Sequence, residues 1–257
     1  MPTGDLMHQR TPSILSALAV IGVLAAGFLV TGRRPAAAPQ PVAAAPSASW
    51  TMAEYPSLTA LRKVEPPANY AVSTTITGSP LIVIAPHGGG IEIRTSEIAA
   101  AIAQTDHSQC HFKGLLPTGN HPRLHVTSEH WDLEECLILI RQRPHALSIH
   151  GFKDDNNRIV YVGGRDTATG ARVTAALTAA GFRVEAAPAD IAGTSPDNFV
   201  NKDADGMGVQ LELSTALRKD LVAAAGGQPS KCTAELPQCG EAFVQAIRSV
   251  YPDTSGW

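Results

Sequence analysis

The chain has 257 residues and a formal net charge of −3, and its first fifty residues do not read as globular. Without Arg10, Arg33, Arg34 and Asp5, the remainder holds 17 basic and 22 acidic residues, a net charge of −5. With no basic run and no basic patch interleaved with aromatics, this balance argues against a general nucleic-acid binder, though not against an anionic ligand held by a few local Arg or Lys residues.

Residues 14–30 are apolar or small apart from Ser16, with Arg10 before them and Arg33-Arg34 after. Residues 35–49 are then almost entirely Ala, Pro and Ser. The apolar run is near the short limit for a membrane span and also suits the apolar region of a signal peptide, with Ala43-Ala44-Ala45 as a cleavage site. The reading is a signal or anchor segment over residues 1–34, an Ala/Pro-rich linker over 35–50 and one domain over 51–257. The protein is expected to be secreted or membrane-anchored outside the cytoplasm, touching a membrane only through its N-terminal segment.

Within the domain, residues 81–85 read as a fully buried strand. Residues 96–104 read as a helix entered from a glycine loop, with Thr95 as its cap. Residues 124–127 form a short strand, and 131–143 a helix that stops before Pro144. Strands follow at 146–150 and 159–162, then a helix at 167–180 closed by Gly181. Further strands lie at 182–187 and 209–213, and a terminal helix at 241–250. Strands alternating with helices imply an α/β domain with a mixed or largely parallel central sheet flanked by helices. The polar stretch 190–208, rich in Gly, Asn and Asp, has the length of a functional loop.

The four cysteines, Cys110, Cys136, Cys232 and Cys239, form no C-x-x-C pair, which argues against a structural zinc site. An even count in an exported chain points to disulfides. The short Pro-containing loop between Cys232 and Cys239 favours pairing these two. Cys110 and Cys136 are then either the second bridge or two buried free thiols.

The chemistry begins at His87-Gly88-Gly89-Gly90-Ile91-Glu92, where an imidazole and a carboxylate stand five positions apart at the end of a buried strand. In open α/β sheets, ligands bind outside the carboxyl ends of strands. A catalytic zinc takes three protein ligands and keeps one position open. His150, in Ser148-Ile149-His150-Gly151, ends another apolar strand and is the third ligand candidate. If the two strands are parallel, both histidines reach one rim. Glu212, in Gly208-Val209-Gln210-Leu211-Glu212-Leu213-Ser214, shares a strand face with Gln210 and Ser214. Alone it reads as part of a solvated edge. Beside a zinc-bound water it is the missing general base. Ser148 and Ser214 sit in no G-x-S-x-G elbow, and the glycine run lacks the phosphate-loop ending.

These motifs, together with Thr95-Ser96-Glu97-Ile98-Ala99, Gly119-Asn120, Leu124-His125-Val126-Thr127-Ser128 and Val162-Gly163-Gly164-Arg165, occur in an order that resembles the poly-γ-glutamate hydrolase family first known from bacteriophages. The resemblance covers residues 71–218. It implies a three-layer domain like that of zinc carboxypeptidases, one zinc ion on His87, Glu92 and His150, and Glu212 as catalytic carboxylate. It also implies hydrolysis of γ-glutamyl amide bonds in an anionic peptide polymer. That substrate calls for cations near the site, and Arg165, Lys202 and Arg94 are the candidates. Where the family is often small between the first glutamate and Thr95, this chain has Ile93-Arg94. His125 matches the family pattern without an assigned role, His121 and His130 are read as loop residues, and His107 and His111 as surface residues. A carboxypeptidase-like enzyme, an amidase of peptidoglycan stem peptides and a non-catalytic module that binds anionic polymers are the competing readings.

Overall fold

The computed structural model describes residues 55–222 and 227–251. The expected signal or anchor segment and the linker lie outside them. Among the described residues no helix is long and apolar enough to cross a membrane. The elements run α1 (Leu58–Val64), β1 (Tyr70–Thr75), β2 (Leu81–Gly89), α2 (Thr95–Ala103), β3 (Ser108–Gly114), α3 (Asn120–Leu124), α4 (Glu134–Arg141), β4 (His145–Phe152), β5 (Val160–Gly164), α5 (Thr167–Ala179), β6 (Val184–Ala186), β7 (Val209–Ser214), α6 (Thr215–Leu221) and α7 (Gly240–Val250).

The seven strands form one sheet in the order β1-β3-β2-β4-β7-β5-β6. The central four, β3, β2, β4 and β7, are mutually parallel. β1 is antiparallel to β3, and β5 is antiparallel to β7. The sheet is therefore mixed and mostly parallel, as expected. β2 is a continuous apolar run because both of its faces are covered. Leu81, Val83 and Ala85 point into a core shared with α2, α5, α6 and α7. Ile82 and Ile84 point the other way, into a second core with Leu58 and Leu61 of α1 and Cys136, Leu139 and Ile140 of α4. Two cores on one sheet make three layers, and each fully buried Leu or Ile contributes about 1.5–3 kcal/mol.

Disulfides join Cys110 to Cys136 and Cys232 to Cys239. The first ties β3 to α4 across 26 residues, a span for which restriction of the unfolded chain contributes about 3–4 kcal/mol. The second precedes α7, whose N-cap is Cys239.

Several local expectations need correction. Residues 124–127 are not a strand: Leu124 ends α3 and the chain runs on in extended form. The cap position of α2 is Arg94, not Thr95, and Arg94 makes no side-chain cap bond. Thr95 instead opens the helix, donating its hydroxyl to the Glu92 carbonyl (2.8 Å). α4 is shorter than residues 131–143 because Trp131 and Leu133 are spent on the core before the helix begins. His107 and His111 are buried rather than on the surface. His107 Nδ1 lies 2.6 Å from the Ser79 hydroxyl. His111 Nδ1 accepts from the Ala85 amide (3.0 Å), and burial pushes this imidazole down to about 3, so it stays neutral.

Asp203, just after the turn at Phe199–Lys202, is buried at the sheet margin. Its Oδ1 accepts from the Met207 amide (2.7 Å), while Oδ2 has no hydrogen-bond partner. Burial, with Asp205 nearby, pushes the carboxyl from 3.8 up to about 7. A carboxyl raised in the folded state favours folding while protonated, and that contribution is lost as pH rises from about 4 through about 7. Asp203→Asn removes the ionisation and keeps the Oδ1 acceptor. The variant is expected to match the parent near pH 4 and to exceed it at pH 8 by roughly 1–2 kcal/mol after solvent screening, measured by urea unfolding. A difference that does not change with pH would refute the assignment.

Candidate metal centre

The site lies at the carboxyl ends of the parallel strands. β2 shifts register between Ala85 and Gly88 against β3, and His87 stands in that irregularity. Gly89 then takes a left-handed backbone (φ 62°) with its Cα packed against the Gly114 backbone, where no Cβ would fit. The loop folds back so that the Glu92 amide donates to the His87 carbonyl (2.8 Å). This return brings Glu92 Oε1 to 2.8 Å from His87 Nδ1. One strand over, His150 of β4 pairs in register with Glu212 of β7. Side chains in register on adjacent parallel strands share a sheet face, and His150 Nδ1 lies 3.9 Å from Glu212 Oε1 and 3.8 Å from Glu92 Oε2.

One ligand atom from each of His87, Glu92 and His150 lies within 4.8 Å of the others, and all three residues are buried. His87 Nε2 is 2.8 Å from the Val126 carbonyl. Donation to that carbonyl places the Nε2 proton there and turns Nδ1 inward, an arrangement typical of metal-binding histidines. Glu92 Oε2 accepts from the Gly151 amide (2.8 Å), which leaves Oε1 beside the imidazoles. Two imidazoles and one anchored carboxylate suit a single divalent ion such as zinc with an open fourth position. Among the described residues the other such grouping, Cys232, Cys239 and Glu241, has both sulfurs in a disulfide.

The electrostatics divide the two carboxylates. Burial alone would raise Glu92, but His87, His125 and His150 outweigh it and hold the group well below the usual carboxylate range. Burial pushes Glu212 well above that range, reinforced by the Glu92 charge. The imidazoles separate likewise. Burial opposes a charge on His87, yet Glu92 prevails and raises it. The neighbouring His87 and then burial bring His125 down to about 4. Burial brings His150 down to about 3.

Sequence reasoning left His125 without a role. Its ring centroid is 4.0 Å from that of His87, and its Nε2 is 3.6 Å from Glu92 Oε1. It is a neutral neighbour of the candidate ligands, with His121 stacked behind it at 4.7 Å. A polar chain behind Glu212 was also missed: Asn198 Nδ2 donates to Gln210 Oε1 (2.9 Å), and Gln210 Nε2 donates to Glu212 Oε1 (3.1 Å). The polar loop around Asn198 thereby orients the carboxylate.

A cavity of about 840 Å³ opens over these groups, and Arg94 lines it. Arg165 and Lys202 do not. β5 runs antiparallel to β7, so Gly164, just before Arg165, pairs with Val209 at the start of β7. That is the rim opposite Glu212. Lys202 stays on the same side, since Ala204, two residues on, donates to the carbonyl of Arg143 below the start of β4. Arg218 of α6 was not anticipated and is the buried cation of the site. Its Nε donates to the Leu213 carbonyl (3.1 Å), Nη1 to the Ile93 carbonyl (2.5 Å), and Nη2 to the Phe152 carbonyl (3.2 Å). These carbonyls adjoin Glu92 and Glu212 and follow His150 by two residues. The only advance sign of it was a position six residues beyond Glu212.

A model of the poly-γ-glutamate hydrolase family matches residues 55–246. The chain is 38% identical to the Bacillus subtilis (strain 168) protein YndL over 169 residues, covering 65% of this chain and 66% of YndL. It is 36% identical to the SPbeta prophage-derived protein YoqZ of the same strain over 170 residues, 65% of this chain and 61% of YoqZ. The matched part thus spans just under two thirds of these relatives. Among solved structures, a bacteriophage poly-γ-glutamate hydrolase superposes with a TM-score of 0.69 at 33% identity, over 76% of this chain and 95% of the other. A zinc-free apo form of YndL superposes with a TM-score of 0.67 at 32% identity, over 76% and 96%. The chain belongs to the poly-γ-glutamate hydrolase family.

Arg218 provides a test of how the rim is held. Arg218→Met leaves three carbonyls without their donor and removes a buried charge that faces Glu92 and Glu212. The expected loss of stability is roughly 3 kcal/mol or more, read by urea unfolding, with Arg218→Lys intermediate because one ammonium cannot span the carbonyls. Unchanged unfolding in Arg218→Met would contradict the clamp.

Proposed function

We propose that this member of the poly-γ-glutamate hydrolase family is a zinc-dependent amidohydrolase that cleaves γ-glutamyl amide bonds in an anionic glutamyl polymer. The observation that carries this reading is the convergence of His87, Glu92, His150 and Glu212 at one sheet rim, with the two carboxylates driven apart in acidity. In this reading His87, Glu92 and His150 hold the ion and Glu212 stands beside it as the proton carrier.

A zinc ion held by His87, Glu92 and His150 would supply Lewis acidity for the scissile carbonyl and the attacking water. Glu212 takes a proton from the attacking water as the new C–O bond forms. It returns the proton to the leaving nitrogen as the C–N bond breaks, so one water is consumed and an acid and an amine are released. A carboxyl raised by burial is suited to carrying that proton. The Gln210 amide keeps it facing the substrate, and Asn198 keeps Gln210 in place. The Glu92 carboxylate, fixed by the Gly151 amide, remains a ligand and not a second base.

The reading includes location. In it the segment 1–34 acts as a signal or anchor, 35–50 is an Ala/Pro-rich linker, and the domain over 51–257 works outside the cytoplasm. Two disulfides among the described residues suit an oxidising compartment.

The test uses purified protein with metal content measured alongside turnover. His150→Ala is expected to lose both metal and activity. Glu212→Gln should retain about one zinc per chain and lose roughly 10²–10⁴-fold in turnover. A chelator should abolish activity, and zinc should restore it. Wild-type protein is expected to cleave poly-γ-glutamate in preference to α-linked polyglutamate and peptidoglycan fragments. Cleavage of the α-linked polymer alone would overturn the γ-glutamyl reading, and chelator-resistant turnover would overturn the metal.

A further inference from the structure

The cavity wall carries four arginine or lysine side chains: Arg94, Lys153, Arg218 and Lys219. Arg218 is committed to three backbone carbonyls and the Thr215 hydroxyl. Lys219 is paired with Asp155 at 2.8 Å. That leaves Arg94 and Lys153, whose side chains make no hydrogen bond or ion pair among the described residues. Arg94 lies two positions beyond Glu92, close enough for its charge to act on Arg218.

The backbone singles out Arg94 further. Its φ is 76°, and the other non-glycine residue with positive φ among those described is Gln104, which closes α2. A side chain in the left-handed region is disfavoured, and glycine would relieve it. Strain of this kind at the mouth of a cavity marks a side chain held for function.

We infer that Arg94, assisted by Lys153, binds a free carboxylate of the substrate chain next to the scissile amide and so selects anionic glutamyl polymers over neutral amides. The inference rests on the hydrolase reading of the same cavity. A guanidinium engages a carboxylate with paired N–H donors, and its charge is indifferent to pH across the working range. In a γ-linked chain every unit presents such a carboxylate beside the amide. Lys153, exposed and mobile in its rotamers by chemistry, adds charge without fixed geometry.

The experiment measures binding in the Glu212→Gln protein by calorimetry, using a short γ-linked oligoglutamate and the same oligomer with its carboxylates amidated. Arg94→Gly is expected to weaken the anionic oligomer about tenfold and leave the amidated one unchanged. Arg94→Lys should recover part of the affinity, and the difference should shrink as salt is raised. The thermal midpoint of Arg94→Gly should hold or rise, which separates lost binding from lost folding. Equal affinity for the anionic oligomer with and without Arg94 overturns the inference. So does equal weakening of both oligomers, or binding of neither by the parent. An α-linked oligoglutamate that shows the same dependence on Arg94, in a protein that does not cleave γ-linked polymer, would sink the bond-type reading and leave the carboxylate site standing.

Discussion

Two carboxylates buried side by side at a sheet rim are the constraint around which this domain is arranged. An ionised carboxylate taken out of water needs compensation by partners of opposite charge or by hydrogen bonds, and two in contact repel each other as well. Glu92 receives that compensation from His87, from the Gly151 amide and from His125 close by. Glu212 receives one amide hydrogen bond from Gln210. The difference in partners fixes a difference in chemistry: Glu92 is held as an anion, while the proton affinity of Glu212 is raised, which suits a group that takes up a proton and hands it back. Neutral His125 and His150 keep the pocket from accumulating positive charge around the raised His87.

The sheet supplies the convergence. In a parallel array, strand ends of one kind lie on one rim, and β2, β4 and β7 deliver His87, His150 and Glu212 there. The reversal at β5 sends the Arg165 end away from the site, so the glycine pair before it cannot present a guanidinium to substrate. The rim is tied together from below by Arg218, whose donors reach the loop after β2, the end of β4 and the end of β7. A shift of one strand relative to another would strain that guanidinium as well as the ligand set, so the clamp and the site share a geometry.

How much of this the chain discloses in advance depends on the range of the interaction. The strand at residues 81–85 and its neighbours were legible because a doubly buried strand is apolar throughout. His87, Glu92 and His150 were legible as candidates because each follows such a run beside glycine. β1 and β3 were not, since the edge strand Tyr-Ala-Val-Ser-Thr-Thr carries little apolar surface, and the alternation in β3 of Gln109, His111 and Lys113 with Cys110 and Phe112 contains only two large apolar positions. Burial of His111 follows from a bond to the Ala85 amide on the next strand, which no local pattern encodes. Arg165 was misplaced for the same reason: the direction of β5 is a property of the pairing and not of its five residues. Arg218 was overlooked because its partners are carbonyls, and every residue has one.

The loop from His87 to Thr95 joins these threads. It holds two left-handed residues, and only one of them, Gly89, is suited to that backbone. Arg94 endures a conformation that disfavours an L side chain by about 1–2 kcal/mol. It can do so because the backbone on either side of it is pinned. Arg218 holds the Ile93 carbonyl, the Thr95 amide donates to the Glu92 carbonyl (3.2 Å), and the Arg94 carbonyl accepts from Ile98 as α2 begins (3.0 Å). Those bonds serve the position of Glu92 first, and the strain at Arg94 is a by-product that glycine would remove. A chain that keeps arginine there gives up local stability at a position that lines the cavity, and the proposed carboxylate contact of the guanidinium is what would offset that loss.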